Sequence, residues 1–237
     1  MSSQKVFRHE FKYYINYFEY HTIRNRLRAI LKNDDFSNNK GDYHIRSLYF
    51  DDIHNSALYE KQAGVLSRRK FRIRIYNLSD ETIKLEKKSR IGQFINKESV
   101  TISKQQYFKI VSGDILFLKE SDITLFNEFY FWHTALKIKP DVIVDYTREA
   151  YTSNLSKIRI TIDKNLRTGL NSLDIFDKSI PTIDVIEKPL FVLEVKYNAF
   201  LPDFLRRAIQ ISSNQRYAIS KFVICKKYTK YNNWEDN

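Results

Sequence analysis

The chain has 237 residues and a formal net charge of +12, with 40 Lys and Arg against 28 Asp and Glu. Because 43% of the residues are hydrophobic and 15% are aromatic, the chain can bury enough apolar area to offset its conformational entropy, which excludes intrinsic disorder. A single cysteine, Cys225, excludes an internal disulfide, and the scarcity of glycine, with 5 residues, excludes glycine-rich nucleotide loops.

Hydropathy and length give a first expectation of location and domain number. No run of about 18 or more apolar residues occurs, and the first 15 residues lack the apolar stretch of a signal peptide. We therefore expect a cytoplasmic protein. Without a Pro/Ser-rich linker, we also expect one domain over residues 1–237, with a frayed tail at residues 232–237.

Apolar and polar residues alternate in short segments along the whole chain, which predicts a mainly antiparallel β structure. An eighth strand lies in either 94–102 or 182–186. The other seven are predicted at 7–15, 43–51, 70–76, 82–88, 141–151, 158–163 and 190–197.

Helix signals lie between these strands. Asn16 and Glu19 form a capping box ahead of a helical stripe of apolar residues. Ser103 is placed to cap a helix that stops at Gly113, and residues 120–136 are long enough for a buried helix. Further helices are predicted over 203–211, after Pro202, and over 217–228.

Charged residues fall on one face of at least five strands, because residues two apart in a strand share a face. Lys70, Arg72 and Arg74 alternate with Phe71, Ile73 and Ile75, and the same pattern recurs at 8–12, 84–88, 159–163 and 194–196. In the ordinary arrangement these faces point to water. If instead the sheet closes and helices cover its apolar side, the cations line a lumen. Since two like charges about 4 Å apart repel by roughly 4 kcal/mol at a dielectric near 20, such a lumen would need a polyanion.

Eight segments resemble, in family order, the VTC-type polyphosphate polymerase domain of the triphosphate tunnel metalloenzymes. They span nearly the whole chain, and their order makes the resemblance specific. The segments are Arg8-His-Glu-Phe-Lys-Tyr-Tyr-Ile, Ile45-Arg-Ser-Leu-Tyr-Phe-Asp, Arg68-Arg-Lys-Phe-Arg-Ile-Arg-Ile-Tyr, Lys84-Leu-Glu-Lys-Lys, Tyr146-Thr-Arg-Glu-Ala-Tyr, Arg159-Ile-Thr-Ile-Asp, Leu193-Glu-Val-Lys-Tyr and Ser220-Lys-Phe.

The resemblance implies an α+β fold in which an eight-stranded antiparallel β-barrel forms a tunnel and helices pack on its outside. It implies a metal-dependent polymerase that transfers the γ-phosphate of ATP onto a growing polyphosphate chain. The expected ligands are ATP or inorganic triphosphate and polyphosphate, with Mn²⁺ or Mg²⁺ as the cofactor and no nucleic acid as a partner.

The resemblance also assigns roles by position. Glu194 falls at the metal-ligand position, and Glu10 and Glu86 resemble the paired carboxylates of the wider superfamily. Since Glu10 and Glu86 each have a cation two residues away, they either bind metal or pair with that cation. The catalytic set is Arg72, Arg74, Lys84, Arg148 and Arg159, and the substrate-binding set is Lys12, Arg46, Tyr146, Lys196 and Lys221.

Three other functions remain open at this stage. A hydrolase of inorganic triphosphate or nucleoside triphosphates would use the same tunnel. A degenerate tunnel would bind polyphosphate without catalysis. A basic, aromatic nucleic-acid-binding β protein would place its cations in an exposed groove instead.

Overall fold

The computed structural model describes residues 9–34, 41–92, 94–170, 172–211 and 215–232, without the side chains of 231 and 232. Residues 7 and 8 of the first predicted strand lie outside the described residues, as do residues 233–237 of the predicted tail.

The described residues form ten strands and seven α-helices, with a short 3₁₀ turn at Leu155–Lys157. The strands are β1 (His9–Ile15), β2 (Lys32–Asn33), β3 (Asp42–Asp51), β4 (Ser67–Tyr76), β5 (Ser79–Ile91), β6 (Phe94–Ile102), β7 (Lys139–Ser153), β8 (Ile158–Gly169), β9 (Thr182–Asp184) and β10 (Phe191–Tyr197). The helices are α1 (Tyr17–Ile30), α2 (Ser56–Gln62), α3 (Lys104–Ser112), α4 (Leu116–Lys119), α5 (Thr124–Leu136), α6 (Asp203–Ala208) and α7 (Lys221–Asn232).

The prediction of an α+β protein built on an antiparallel sheet is confirmed. The strand order is β1-β10-β8-β7-β3-β4-β5-β6, with β2 paired to β7 and β9 paired to β8. Both segments offered for the eighth strand are strands, so the predicted number of eight was too low. Among the described residues no pairing joins β1 to β6, so the sheet is open where a closed barrel was predicted. Alternation along a strand predicts its two faces, but it carries no information on which edges pair.

The chain divides into two compact units. Unit 1 comprises Met1–His44, Tyr146–Leu166 and Ile186–Ser220, and unit 2 comprises Ile45–Asp145, Arg167–Val185 and Lys221–Asn237. The long strands β7 and β8 contribute residues to both units.

In unit 1, α1 and α6 pack on the apolar side of β1, β8 and β10. The capping box of α1 is confirmed, since the Asn16 side chain accepts from the Glu19 amide at 3.0 Å and the Glu19 carboxylate accepts from the Asn16 amide at 3.0 Å. The stripe that this helix buries includes Ile23 and Leu27, both fully inaccessible to solvent.

In unit 2, α3, α4 and α5 cover the apolar side of β3, β4 and β5. The Ser103 cap of α3 is confirmed, and the helix stops at Gly113, whose φ of 87° is costly for other residues. The rings of Phe50 and Phe71 lie edge-on to that of Phe129, at centroid distances of 5.0 and 5.3 Å.

Three of the predicted helices, α5, α6 and α7, have bounds that differ from prediction. Helix α5 begins at Thr124 and not at residue 120, because the backbone of Ile123 is extended, with φ of −81° and ψ of 111°. Helix α6 ends at Ala208, and α7 begins at Lys221, four residues later than predicted. No helix in the described part of the chain is long and apolar enough to cross a membrane.

Candidate functional site

The polar side of β3 to β6 in unit 2, here called the unit 2 face, carries a row of cations. Tyr49 lies opposite Arg72, which lies opposite Glu86 on the next strand. Because helices cover the apolar residues between them, these polar residues share the other side of the sheet. The face consists of Ser47, Tyr49, Lys70, Arg72, Arg74, Lys84, Glu86 and Lys97.

Glu86 lies at the centre of the unit 2 face, and three cations surround it. Its Oε2 is 2.6 Å from Nη2 of Arg72 and 3.9 Å from Nη1 of Arg74, and its Oε1 is 2.6 Å from Nζ of Lys97. Burial raises the pKa of Glu86, but Arg72, Arg74 and Lys97 outweigh burial and lower it to about 2. In this structure Glu86 is therefore the partner of cations, and the face keeps a positive excess.

Two hydroxyl groups orient the guanidinium groups of this face. Arg72 donates from Nη1 to the Tyr49 hydroxyl at 2.7 Å, and Arg74 donates from Nε to the Ser47 hydroxyl at 3.0 Å. Ser47 and Tyr49 are site residues that the sequence patterns above do not predict. Their spacing of two residues in β3 could have revealed them, since it places both on one face.

The ammonium group of Lys70 is unusual on this face. Its Nζ is buried, has no hydrogen-bond partner among the described residues, and lies 4.1 Å from the ring centroid of Phe222 in α7. Burial, followed by the charge of Lys61, lowers the pKa of Lys70 to about 7. Lys84, opposite Arg74, is half-buried, and Lys221 is the first residue of α7.

Arg46 lies on the other side of β3 from Ser47 and Tyr49, together with the core residues Leu48 and Phe50. Its Nε donates to Oδ2 of Asp145 at 2.7 Å, and its Nη1 donates to the carbonyl oxygens of Ile175 and Asp177 at 3.3 and 2.5 Å. The structure therefore does not bring Arg46 together with Arg72 and Arg74.

Unit 1 has its own polar face, here called the unit 1 face. Lys12 of β1 lies opposite Glu194 of β10, and Lys196 lies opposite Arg159 of β8. The face consists of Glu10, Lys12, Tyr146, Arg148, Arg159, Thr161, Asp163, Glu194 and Lys196.

Carboxylates and cations of the unit 1 face interleave. Nζ of Lys12 lies 3.1 Å from Oε1 of Glu10 and 3.6 Å from Oε1 of Glu194, and Nζ of Lys196 lies 3.0 Å from that same Glu194 oxygen. Burial lowers the pKa of Lys12, but Glu194 and Glu10 outweigh burial, so this pKa is raised overall. For Lys196 burial prevails, and its pKa is lowered.

Arg148 makes a bidentate ion pair on the unit 1 face. It donates from Nε and Nη2 to the two oxygens of Asp163, at 2.6 and 2.8 Å, and its Nη2 lies 3.8 Å from Oε2 of Glu194. Burial lowers the pKa of Arg148, but Asp163 outweighs it and the pKa is raised. The Arg148 guanidinium lies 5.3 Å from the ring centroid of Tyr146.

Two other polar groups of the unit 1 face differ from this pattern. Arg159 is directed at Asp34 and the hydroxyl of Tyr43, with Nη2 at 2.5 and 3.0 Å from their oxygens. The buried hydroxyl of Thr161, opposite Glu194, has no hydrogen-bond partner among the described residues. A buried donor without a partner is costly, so Thr161 marks a place that a polar ligand would satisfy.

The described residues fit only in part the divalent metal that the resemblance implies. Among the described residues no three His, Cys, Asp or Glu side chains are grouped to hold a metal ion. Mg²⁺ is nevertheless often bound by one or two carboxylates, with phosphates and water as its other ligands. Glu10 and Glu194, which share Lys12, and the unsatisfied hydroxyl of Thr161 suit that mode. Glu86, enclosed by three cations, does not.

Comparisons with known proteins place the chain in a family. Among solved structures it is similar to a candidate adenylate cyclase from Bacillus halodurans, with 10% identity, a TM-score of 0.49 and 86% of each chain covered. It is also similar to the PH1819 protein from Pyrococcus horikoshii OT3, with 14% identity, a TM-score of 0.41, and 85% of this chain and 84% of that chain covered. No curated protein matches the chain. Residues 7–230 match the model of the family described as the VTC domain, so the chain belongs to the VTC domain family.

Proposed function

We propose that this protein is a metal-dependent polyphosphate polymerase, which transfers the γ-phosphoryl group of ATP to the end of a polyphosphate chain. Membership of the VTC domain family supports a function related to polyphosphate or triphosphate. The observation that carries the proposal is the cation excess of the unit 2 face, where Arg72, Arg74 and Lys97 surround the one carboxylate Glu86. A polyanion is the ligand that such an excess attracts.

On the unit 2 face, Arg72 and Arg74 would bind phosphate oxygens. Guanidinium groups suit phosphate because their N–H donors match its geometry in pairs. Tyr49 and Ser47 hold both groups in place before the ligand arrives, which reduces the cost of ordering them. Lys84 adds a half-buried point charge opposite Arg74.

On the unit 1 face, phosphate oxygens would compete with Glu10 and Glu194 for the cations. Lys12, Lys196 and Arg148 each contact Glu194, so each is placed to transfer that contact to a phosphate. Binding roles for Arg159 and Tyr146, and for Lys221 in unit 2, are part of the same proposal. So is the tunnel-like arrangement that the resemblance implies.

Glu194 and Glu10 would hold a divalent metal together with the phosphates. When bound, Mg²⁺ or Mn²⁺ would neutralise negative charge on the phosphate oxygens. Thr161 would donate its free hydroxyl proton to an oxygen of the same ligand. Arg148 would stay against Asp163, which holds its guanidinium group in a fixed direction.

The reaction needs no covalent intermediate on the protein. A terminal oxygen of the acceptor polyphosphate forms a bond to the γ-phosphorus of ATP, and the bond from that phosphorus to the β,γ-bridging oxygen breaks. The electron pair leaves with ADP. Since the acceptor oxygen is already an anion, the cations act by positioning the two phosphates and by neutralising their charge.

Product analysis tests this proposal. Purified protein is incubated with ATP and Mn²⁺ or Mg²⁺, and a gel separates long polyphosphate from free phosphate. Long chains with ADP are expected. Free phosphate with ADP would make the protein a hydrolase of the same family, and intact ATP under both metals would contradict catalysis.

Two variants test whether polyphosphate formation depends on the unit 2 face. Arg74→Ala should abolish most of the polyphosphate formed. The matched control is Arg206→Ala, which removes an equal charge from a side chain that is 70% exposed on α6. Equal loss in both variants would show that only the net charge matters.

A further inference from the structure

We propose that unit 2 carries a docking surface for an anionic lipid membrane at the tip of the β5–β6 hairpin. Five large apolar side chains are exposed there, on the hairpin and on the adjoining segment before β4. This apolar tip consists of Val65, Leu66, Ile91, Phe94 and Ile95, with exposed fractions of 41%, 71%, 66%, 49% and 46%.

The apolar tip is not an extension of the core. The buried apolar residues of β5 end at Leu85, and Ile91 lies six residues further, roughly 20 Å along an extended strand. Ile91 pairs with Phe94, whereas Ile95 pairs with Arg90, so apolar side chains lie on both faces of the hairpin end. A strand that merely covered a core would be apolar on one face alone.

Hydrogen bonds hold the two segments of the tip together. The amide of Gly92 donates to the carbonyl oxygen of Leu66 at 2.9 Å. Arg90 donates from Nε to the carbonyl oxygen of Gly92 at 2.8 Å, and Arg68 donates to the carbonyl oxygen of Val65. These hydrogen bonds link the segment before β4 to the end of β5.

Cations of like charge face each other directly behind the tip. Arg68 lies opposite Arg90. Like charges directly opposite each other destabilise a sheet. Burial, and then Arg90, lower the pKa of Arg68, while Glu60 acts in the other direction. The hydrogen bonds of Arg68 and Arg90 described above go to backbone carbonyl oxygens, which carry no full negative charge, so an anionic partner would relieve this repulsion.

An anionic membrane surface fits both properties at once. Lipid headgroups such as phosphatidylserine would neutralise the Arg68–Arg90 pair, and the acyl boundary would take up the five apolar side chains. A soluble polyanion would satisfy the arginines but leave the apolar side chains in water. This inference is independent of the proposed polymerase activity, because none of the tip residues belongs to the proposed binding sets.

Vesicle flotation tests the inference. The whole protein is mixed either with vesicles of phosphatidylcholine alone or with vesicles that also contain about 30% phosphatidylserine. The phosphatidylserine supplies a negative surface potential. Binding to the anionic vesicles is expected. The double variant Leu66→Ser, Ile91→Ser should lower this binding at least about tenfold, from the loss of buried apolar area. Arg90→Gln should lower it about fivefold while leaving the melting temperature equal or higher.

Phe18→Ser is the matched control, because Phe18 is a large apolar residue that is 81% exposed on α1 of unit 1. It should leave binding to anionic vesicles unchanged. Equal binding to neutral vesicles would overturn the assignment to anionic lipid. If Arg90→Gln weakened binding but the double serine variant did not, adsorption by net charge would replace the inference. A dimer in light scattering that the double variant dissociates would make the tip an interface between two copies.

Discussion

The polar faces of the two units share one strand pattern but balance their charges differently. On the unit 1 face, Glu10, Glu194 and Asp163 interleave with Lys12, Lys196 and Arg148. On the unit 2 face, the carboxylate Glu86 meets Arg72, Arg74 and Lys97, and Lys70 and Lys84 add further positive charge.

This difference separates two uses of a cation. Where a buried cation and a buried carboxylate are matched, removing one leaves the other unpaired, so the pair supports the fold. Where cations outnumber carboxylates, removing one cation leaves no carboxylate unpaired. In the intact protein the excess positive charge is available to a ligand. We therefore expect equal substitutions to affect mainly stability in unit 1 and mainly ligand affinity in unit 2.

The largest effect is expected for Arg148→Ala on the unit 1 face. Asp163, whose side chain is 1% exposed, would lose both charge-assisted hydrogen bonds from Arg148. Because an unpaired buried charge is costly, the free energy of unfolding should fall by about 3–5 kcal/mol in urea titrations. Arg148→Lys should recover part of this loss. A decrease below about 1 kcal/mol would contradict the structural role of the pair.

Arg72→Ala on the unit 2 face should act on binding instead. Glu86 would keep Arg74 and Lys97, so the free energy of unfolding should fall by only about 1 kcal/mol. The dissociation constant for inorganic triphosphate, measured by calorimetry, should rise about tenfold to a hundredfold, the effect of losing a hydrogen bond to a charged group. A large loss of stability with unchanged affinity would reverse the comparison of the two faces.

The lysines of the two faces should respond oppositely to pH. The pKa of Lys70 is about 7 in the folded protein and 10.5 in an ordinary environment, so between these values the unfolded chain binds more protons and stability rises with pH. The slope is at most about 1.4 kcal/mol per pH unit. Lys12 has a raised pKa, so its contribution is complete below pH 10.5 and is lost above it.

Unfolding titrations at pH 7, 8 and 9 measure this difference. Lys70→Met should flatten the rise of stability with pH that the unsubstituted protein shows, whereas Lys12→Met should leave the slope in this range unchanged. Equal slopes for the unsubstituted protein and for Lys70→Met would show that the pKa of Lys70 is not lowered in the folded protein.

The smallest effect is expected for Lys84→Ala. Lys84 is half-buried and lies opposite the like-charged Arg74, so its removal should leave the free energy of unfolding unchanged within about 0.5 kcal/mol. The affinity for triphosphate should fall by about twofold to fivefold, as expected for one partly screened charge. A destabilisation comparable to that of Arg148→Ala would remove the distinction between the two faces.

The sequence predicted local features well because their causes are local. The capping boxes at Asn16 and Ser103 involve residues three positions apart, and the alternation of Arg72 and Arg74 with core residues follows from the pleat of one strand. Arg46 was harder to place, because β3 is buried along nearly its whole length and its alternation does not separate a polar from an apolar side.

By itself, the sequence determined the longer strands and helices, their apolar faces and the cationic character of the polar faces, but not the short elements β2 and α4. The tertiary structure decided which carboxylate meets which cation: Arg148 pairs with Asp163 across two strands, and Lys97 reaches Glu86 from β6. It also decided that the pairing path from β1 to β6 stays open in the described residues. Periodicity within a strand fixes the side on which a residue lies, whereas its partner depends on register between strands that are distant in the chain.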